Sequence, residues 1–280
     1  MHLTLHPDLK KALPEDAVVF DWFLEPRGTV HRKVKHRLTY ETQLGGHHVF
    51  VKRHLASGWA EVLKEWYRFR KPVVSARTEW LGAEALAAAG VPVPAVLGKG
   101  ERGRYPHAVE SFVVLEALPD RETLEHFKPG WLGLEGTRWV ACKRALIDEV
   151  ARMTSAMHAA GINHRDLYIN HFLVERSRIR DWQPGQPIRL HLIDLHRAQM
   201  RKAVPRRWLV KDLGSLVFSA LDCGLTSADC ARFLRTYLGP GWKTELRRQP
   251  SLWRAAMRRA LRMYRSYHGR PPELPGIARL

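Results

Sequence analysis

Cysteine is scarce in this chain. Among 280 residues there are three, Cys142, Cys223 and Cys230, so the count is odd, and no pair has the CxxC spacing. This pattern argues against a framework of disulfide bonds and favours a reducing compartment. The histidines in the second half lack both an HExxH motif and a cysteine-containing ligand pattern, which disfavours a zinc hydrolase.

Long apolar runs are also lacking. Residues 1–10 contain no apolar signal core. The most apolar stretch, residues 83–98, carries Glu84 and two prolines and is too short to span a bilayer. We therefore expect a soluble, cytoplasmic chain, which can still contact a membrane surface.

Acidic residues are few relative to basic ones. The sequence has 46 Lys and Arg against 28 Asp and Glu, a formal net charge of +18, while 45% of the residues are hydrophobic. This much apolar material excludes a disordered basic tail. The basic excess predicts an anionic partner, whether nucleic acid, a phosphorylated substrate, an anionic membrane surface or an acidic protein. Charge alone does not choose among them.

The sequence pattern changes from strands to helices along the chain. Strand signals occur at 39–44 and 48–52 on either side of Gly45-Gly46, and at 111–116. Helical patterns occupy residues 76–89, 143–160, 208–221, 227–237 and 252–267, with short strands at 172–174 and 190–193. These elements predict an α+β fold with a β-rich N-terminal part, an α-rich C-terminal part and a hinge near 116–120.

Four charged residues follow one another in an informative order. Lys52 ends a hairpin strand, Glu79 lies in the first helix, Asp166 lies in a loop after a helix, and Asp194 ends a short strand. Phosphoryl transfer needs these types: a lysine for the phosphates, a glutamate that holds it, an aspartate for the acceptor hydroxyl and an aspartate for Mg²⁺. The ordered set predicts phosphoryl transfer.

This order resembles the protein-kinase-like fold. The run 164–174, HRDLYINHFLV, is similar to one branch of it, the lipopolysaccharide core heptose (I) kinases, and stretches 46–54, 75–94 and 211–214 also look similar. The resemblance extends over residues 20–270. It implies a bilobal fold, with a small β-rich N-lobe at 1–117 and a larger α-helical C-lobe at 118–280. It also implies that ATP, with Mg²⁺, phosphorylates the first heptose of the lipid A-core acceptor.

The resemblance assigns roles by matching position. Lys52 becomes the phosphate-neutralising lysine with Glu79 as its partner, although Glu84 is a nearby competitor. Asp166 becomes the catalytic base and Asp194 the metal ligand. The resemblance also implies that Asp212 anchors the catalytic loop. The hinge from Glu116 to Leu118 would present its backbone to adenine.

Three departures from the usual kinase pattern stand out. No GxGxxG precedes Lys52; only Gly28 is near the expected turn, so Arg32, Lys33 or Lys35 is an alternative phosphate clamp. His171 replaces the usual asparagine, either as a catalytic-loop residue and metal ligand or as a satisfied polar residue. The triplet Asp194-Leu195-His196 lacks the glycine of DFG, which disfavours an in/out switch.

The segment between Asp194 and Asp212 is short and basic. A regulated protein kinase needs a longer segment there, with a peptide-docking surface. Arginine binds carboxylates and phosphates bidentately, as an inner-core saccharide would require. The residues predicted to bind the acceptor are Arg197, Arg201, Arg206 and Arg207.

Two other basic regions leave alternatives open. The basic and aromatic run 59–71 indicates either contact with the anionic inner face of the membrane or a helix packed on the small lobe. The C-terminal arginines of 254–265 form either a solvated face or a contact with anionic lipid or an acidic protein. The competing functions are a kinase for another core sugar, a small molecule or a protein, and a non-catalytic basic binding module. Nucleic acid is disfavoured because no nucleic-acid-binding motif occurs.

Overall fold

The computed structural model describes residues 1–15, 18–59, 63, 67, 75–128 and 130–273. The chain divides into two compact units. The first comprises Met1–Glu84, Pro94–Leu118 and Leu195–Arg197, and the second comprises Ala85–Val93, Pro119–Asp194 and Ala198–Leu280. The sequence predicted one boundary, between residues 117 and 118, whereas this division also places 85–93 in the second unit and 195–197 in the first.

A six-stranded antiparallel sheet is the framework of the first unit. Its strands are β1 (His2–Leu5), β2 (Thr29–Val34), β3 (Arg37–Leu44), β4 (His47–His54), β5 (Val96–Arg102) and β6 (Glu110–Glu116). Their order across the sheet is β1-β5-β6-β4-β3-β2. The predicted hairpin is confirmed: β3 and β4 pair up to Leu44 and His47, and Gly45 and Gly46 both have the positive φ that a tight turn requires.

Side-chain alternation along β4 separates the core from the functional face. Val49 and Val51 are fully buried and share a hydrophobic cluster with Phe112 of β6. Two short helices, α1 (Pro7–Lys11) and α2 (Val19–Leu24), contribute to the same cluster. Because successive side chains in a strand point to opposite faces, Lys52 lies on the other side of the sheet.

Helix α3 (Arg77–Ala88) contributes to a second cluster. Trp80 and the preceding Ala76 share it with Val113 and Leu115 of β6. The helix occupies nearly the predicted range, and Gly90, with positive φ, follows its end. Its packing on β6 brings the first turn of α3 to the sheet face that carries Lys52.

Most of the second unit is helical. Its helices are α4 (Gly136–Ala159), α5 (Arg176–Arg180), α6 (Arg206–Ala220), α7 (Ser227–Leu238), α8 (Trp242–Arg248) and α9 (Pro250–His268). Its strands are β7 (Arg121–Thr123), β8 (Ile162–Asn163), β9 (Phe172–Glu175), β10 (His191–Leu192) and β11 (Gln199–Met200). They form two small sheets, β10-β9-β7 and β11-β8. The expected α+β class, with a β-sheet N-terminal region and a helical C-terminal region, is confirmed.

The long helix α4 begins seven residues earlier than its pattern predicted. Cys142 is fully buried and continues, four residues upstream, the apolar face that carries Leu146 and Val150. The sequence-based boundary at residue 143 had stopped just short of this residue.

The C-terminal helix α9 packs closely on α6. Its buried residues recur every four positions: Leu252, Ala256, Ala260 and Tyr264. A Cβ on Gly214 of α6 would lie 3.0 Å from the Ala256 carbonyl oxygen, so glycine permits the close approach. None of the helices in the described part of the chain is both long and apolar enough to cross a membrane.

His54, at the end of β4, makes stability depend on pH. It is 5% exposed, and burial, with smaller contributions from nearby cations, lowers its pKa from 6.5 to about 3. The unfolded chain therefore binds a proton near pH 6.5 that the folded chain does not, so the unfolding free energy falls as pH drops below 6.5. This one group accounts for a loss of about 2 kcal/mol between pH 8 and pH 5.

Denaturant unfolding at pH 8, 6.5 and 5 tests this prediction by comparing the parent chain with His54→Leu. We expect the variant to lose about 2 kcal/mol less than the parent over that range, because a leucine cannot be protonated. Parallel pH profiles for the two proteins would contradict it.

Candidate active site

Lys52 and Glu79 form an ion pair between β4 and α3. The Lys52 Nζ donates to the Glu79 Oε1, and the Glu79 side chain is 3% exposed against 23% for Lys52. The register brings them together, because Lys52 lies opposite Val113, whose cluster includes Trp80, next to Glu79 in α3. The competing residue Glu84 pairs with Lys99 instead. The predicted Lys52–Glu79 pairing is therefore confirmed.

The turn between β2 and β3 lies at residues 35–36 and contains no glycine. Val34 pairs with Arg37, so Lys35 and His36 form a two-residue turn, and Lys35 has a φ of 52°. Gly28 is not in this turn. It lies at the other end of the hairpin, where a Cβ would be 2.1 Å from the Glu41 carbonyl oxygen. Gly28 thus allows close strand approach, which corrects its expected place near the turn.

The predicted adenine-binding hinge begins at the end of β6. The Glu116 N–H donates to the Ala95 carbonyl, and the Ala117 N–H donates to the His48 carbonyl at 2.8 Å. These two donors are used within the sheet. Adenine contact by the backbone of Glu116 and Leu118 remains a prediction. Because the Glu116 N–H already has a partner, the Glu116 carbonyl oxygen is the atom that would accept from adenine.

In the second unit, Asp212 of α6 anchors the loop that contains Asp166. The fully buried Asp212 carboxylate accepts hydrogen bonds from the backbone N–H groups of His164 and Arg165, each at 2.7 Å. Its Oδ2 also lies 3.4 Å from the His158 Nε2. The predicted anchoring role is confirmed by these contacts.

Two of the five non-glycine residues with positive φ in the described chain are Asp194 itself and the residue before Asp166. Arg165, immediately before Asp166, has a φ of 74°, and Asp194 has a φ of 65°. Non-glycine residues with such φ values cost free energy and persist where surrounding contacts impose them. For Arg165 the imposing contact is the hydrogen bond from its N–H to Asp212, so the fold expends stability to orient Asp166.

His164 connects the loop to the strand that precedes Asp194. The ring is fully buried, and its Nε2 donates to the Ile193 carbonyl at 3.0 Å. Burial lowers the pKa of His164, which keeps the ring neutral. A neutral donor in this position holds Asp194 and the Asp166 loop in a fixed spacing without adding charge to the site.

His171 lies between the two aspartates. Its Nδ1 is 2.8 Å from the Asp166 carbonyl oxygen, and its Nε2 is 3.7 Å from the Asp194 Oδ2. A carbonyl oxygen can only accept, so Nδ1 carries the hydrogen, and in the neutral ring Nε2 carries the lone pair. A carboxylate oxygen and an imidazole lone pair therefore lie on the same side, which fits a divalent cation completed by phosphate oxygens and water.

Lys211 is a neighbour of Asp166 that sequence reasoning missed. Its Nζ lies 3.5 Å from the Asp166 Oδ1 and 5.8 Å from the centre of the Trp208 ring. The sequence signal was its position directly before Asp212: a residue next to the loop anchor must lie near the loop. An ammonium group at this point can stabilise negative charge that develops during phosphoryl transfer.

The four predicted acceptor-binding arginines are not equivalent. Arg197 belongs to the first unit and the other three to the second. The Arg201 guanidinium donates to Asn163 Oδ1 and Gln199 Oε1, both at 2.8 Å, and so has structural partners on β8 and β11. Arg206 and Arg207 are exposed in the first turn of α6.

The profile of the lipopolysaccharide kinase (Kdo/WaaP) family matches residues 21–237, a range that contains every one of these site residues. The chain belongs to this family. Three curated relatives carry the name lipopolysaccharide core heptose(I) kinase WaaP. The Pseudomonas aeruginosa protein is 42% identical over 238 residues, 85% of this chain and 87% of its own. The protein of Escherichia coli K12 is 38% identical over 212 residues, 76% of this chain and 78% of its own.

A solved structure of a family member has the same fold. It is described as WaaP in complex with acyl carrier protein, and it is 37% identical with a TM-score of 0.76. The superposition covers 94% of this chain and all of that one. The resemblance that the sequence suggested is thus confirmed, and membership of the Kdo/WaaP family makes the chain a kinase whose phosphate acceptor is a sugar hydroxyl.

Proposed function

We propose that this chain transfers the γ-phosphoryl group of ATP to a hydroxyl of the first heptose in the inner core of lipopolysaccharide. The observation that carries the proposal is the Asp166 loop, held by the buried Asp212 carboxylate and bordered by His171 and Lys211. Membership of the Kdo/WaaP family and three relatives named as heptose(I) kinases supply the acceptor.

The chemistry needs ATP and a divalent cation, for which we propose Mg²⁺. Asp194 and His171 would hold the cation, whose charge would neutralise the phosphates. Lys52, fixed by Glu79, would contribute a second positive charge to the phosphates, because the ion pair holds its ammonium group in one position.

Asp166 is the proposed base. It would accept the proton of the heptose hydroxyl as the hydroxyl oxygen bonds to the γ-phosphorus and the bond to the ADP oxygen breaks. The Lys211 ammonium, 3.5 Å from the Asp166 Oδ1, would stabilise the negative charge on the transferring group. ADP and the heptose phosphate are the products, and the proton leaves from Asp166.

The direct test incubates the purified chain with ATP, Mg²⁺ and dephosphorylated core lipopolysaccharide, with Asp166→Asn in a parallel tube. We expect phosphate on the heptose in the first tube and not in the second. Phosphate on another core sugar, on an aminoglycoside or on a protein, and not on heptose, would show that the proposed acceptor is wrong. Absence of any transfer, with tight salt-sensitive RNA binding, would indicate a binding module instead.

Arg206 and Arg207 are proposed to bind anionic groups of the acceptor. Replacing both with alanine should raise the KM for core lipopolysaccharide at least about tenfold, because a hydrogen bond to a charged group contributes about 1.5–3 kcal/mol. The KM for ATP should stay nearly unchanged. The measurement is steady-state kinetics with each substrate varied in turn.

A matched control is available in α8. Arg247 and Arg248 are also adjacent and exposed, so their double alanine variant removes the same charge elsewhere. Equal effects on both KM values in the Arg206/Arg207 variant, or the same KM for lipopolysaccharide in both double variants, would exclude the acceptor role.

An acidic protein partner is also proposed. Arg254, Arg258 and Arg262 lie four residues apart and are exposed along α9, and the helix contains no Asp or Glu. A solved WaaP structure contains acyl carrier protein, which supports an acidic protein as the partner. Such a row of guanidinium groups fits a row of carboxylates on a partner.

We further propose that the reaction takes place at the cytoplasmic face of the inner membrane, where the lipid A-core is anchored. Of the basic and aromatic run 59–71, the structure describes Trp59, Leu63 and Tyr67, and the other members lie outside the described residues. All three are exposed, with Tyr67 at 88%. The Trp59 ring stacks on His107 of the first unit, with 4.2 Å between the ring centres, so this end of the run packs on the small lobe. The exposed Tyr67 ring favours an interfacial position, which supports membrane contact at Tyr67.

A further inference from the structure

Two histidines and an aspartate meet in the N-terminal part of the first unit. One donor atom from each of His6, Asp8 and His47 lies within 4.8 Å of the others. The Asp8 Oδ2 is 3.5 Å from the His6 Nδ1 and 3.6 Å from the His47 Nε2. In the described part of the chain, no other group of three His, Cys, Asp or Glu side chains approaches as closely.

The backbone holds these side chains together. His6 is the N-cap of α1 and Asp8 lies in its first turn, while His47 is the first residue of β4. The His6 Nδ1 accepts from the Asp8 N–H at 3.4 Å, and a metal on Nδ1 would replace this N–H as the partner of the lone pair. The β3–β4 turn lies directly against α1, since a Cβ on Gly45 would be 2.5 Å from the Asp8 carbonyl oxygen. The ligand atoms are thus carried by a helix and a strand in close contact.

We propose that His6, Asp8 and His47 bind a divalent transition metal, with Zn²⁺ as the best fit. Two imidazoles and one carboxylate make a three-ligand zinc set, with water in the fourth position. Glu116 supports it: its Oε1 lies 3.8 Å from the His47 Nδ1. The negative charge of Glu116 on this side favours the hydrogen on Nδ1 and therefore the lone pair on Nε2, the atom that faces Asp8.

This site is chemically different from the one proposed between Asp194 and His171. It offers two imidazoles and one carboxylate, whereas His171 is the one imidazole proposed beside Asp194, and a second imidazole favours zinc, copper or nickel over Mg²⁺. The three side chains are 25–49% exposed, so the metal can enter from solvent. Because the unfolded chain does not hold the three ligands together, bound Zn²⁺ stabilises the native state and fastens α1 to the β3–β4 turn.

Calorimetric titration of the chelator-treated full chain with ZnCl₂, in excess Mg²⁺, tests the proposal. We expect one saturable equivalent of Zn²⁺ and a higher Tm when zinc is present. His47→Ala and Asp8→Asn should each lower the zinc affinity by at least about tenfold. Asp8→Asn keeps the side-chain shape, so it tests the site even where His47→Ala unfolds the segment.

His126→Ala is the matched control. Its ring lies 3.8 Å from the Glu122 Oε1 and belongs to no three-residue cluster in the described chain, so zinc binding should be unchanged. No saturable zinc binding by the parent chain, full binding by both site variants, or equal loss in the control would overturn the proposal. The outcome does not depend on the kinase reaction, because the readout is metal binding to the purified chain.

Discussion

Replacing Asp166 with asparagine is expected to reduce kcat by about 10²- to 10⁴-fold, the usual contribution of a positioned general base. The asparagine side chain has nearly the same shape but cannot accept the hydroxyl proton. The anchor of the loop uses the backbone of His164 and Arg165, so it is retained in this variant. The KM for ATP should therefore change little.

Steady-state kinetics with core lipopolysaccharide measures this effect, and circular dichroism confirms that the variant folds. Asp148→Asn is a suitable control, because the Asp148 carboxylate bonds to Arg232 and Thr236 of α7 and not to the loop. The control should keep nearly all of kcat. An Asp166→Asn enzyme that retains most of its kcat would remove Asp166 from the role of base.

The parts of the fold that depend on local sequence periods were predictable. The strand signals on either side of Gly45-Gly46 located Lys52 on a hairpin strand, and the four-three-four spacing after residue 143 located α4. The loop that contains Asp166 was also predictable, since the run 164–174 has a recognisable pattern and Asp194 follows Asp166 after 28 residues. These signals lie within short stretches, where neighbouring residues determine the conformation.

Contacts between distant segments were not predictable in the same way. Lys211 and Asp166 are 45 residues apart, and only the packing of α6 on the loop brings them together. His6 and His47 are 41 residues apart, and their cluster depends on α1 meeting the β3–β4 turn at an approach that Gly45 permits. Gly28 was placed near the turn because glycine is typical there, whereas its place at the far end of the hairpin is visible only in the strand register.

Replacing Asp212 with asparagine is expected to lower both the unfolding free energy and kcat, because Asp212 fixes the geometry of the loop that carries Asp166. Its two carboxylate oxygens each accept one backbone N–H, from His164 and from Arg165. In Asp212→Asn one of these oxygens becomes an NH₂ group. An NH₂ group is a donor, so one backbone N–H of the loop then faces another donor and loses its acceptor. A buried donor without an acceptor costs about 1–3 kcal/mol, and the lost charge weakens the remaining bond, so we expect a destabilisation of about 2–5 kcal/mol.

The same substitution should lower kcat about 10²-fold or more, because a displacement of about 1 Å in a positioned group has an effect of this size. Asp229→Asn separates this loss from simple destabilisation. Asp229 is also buried, caps α7 through Thr226 and pairs with Lys143 at 2.7 Å, so its replacement should reduce the unfolding free energy by a comparable amount. If kcat, measured where both variants are fully folded, falls in Asp212→Asn and not in Asp229→Asn, the anchored backbone of His164 and Arg165 positions Asp166. Equal kcat values in the two variants would mean that Asp212 acts on stability alone.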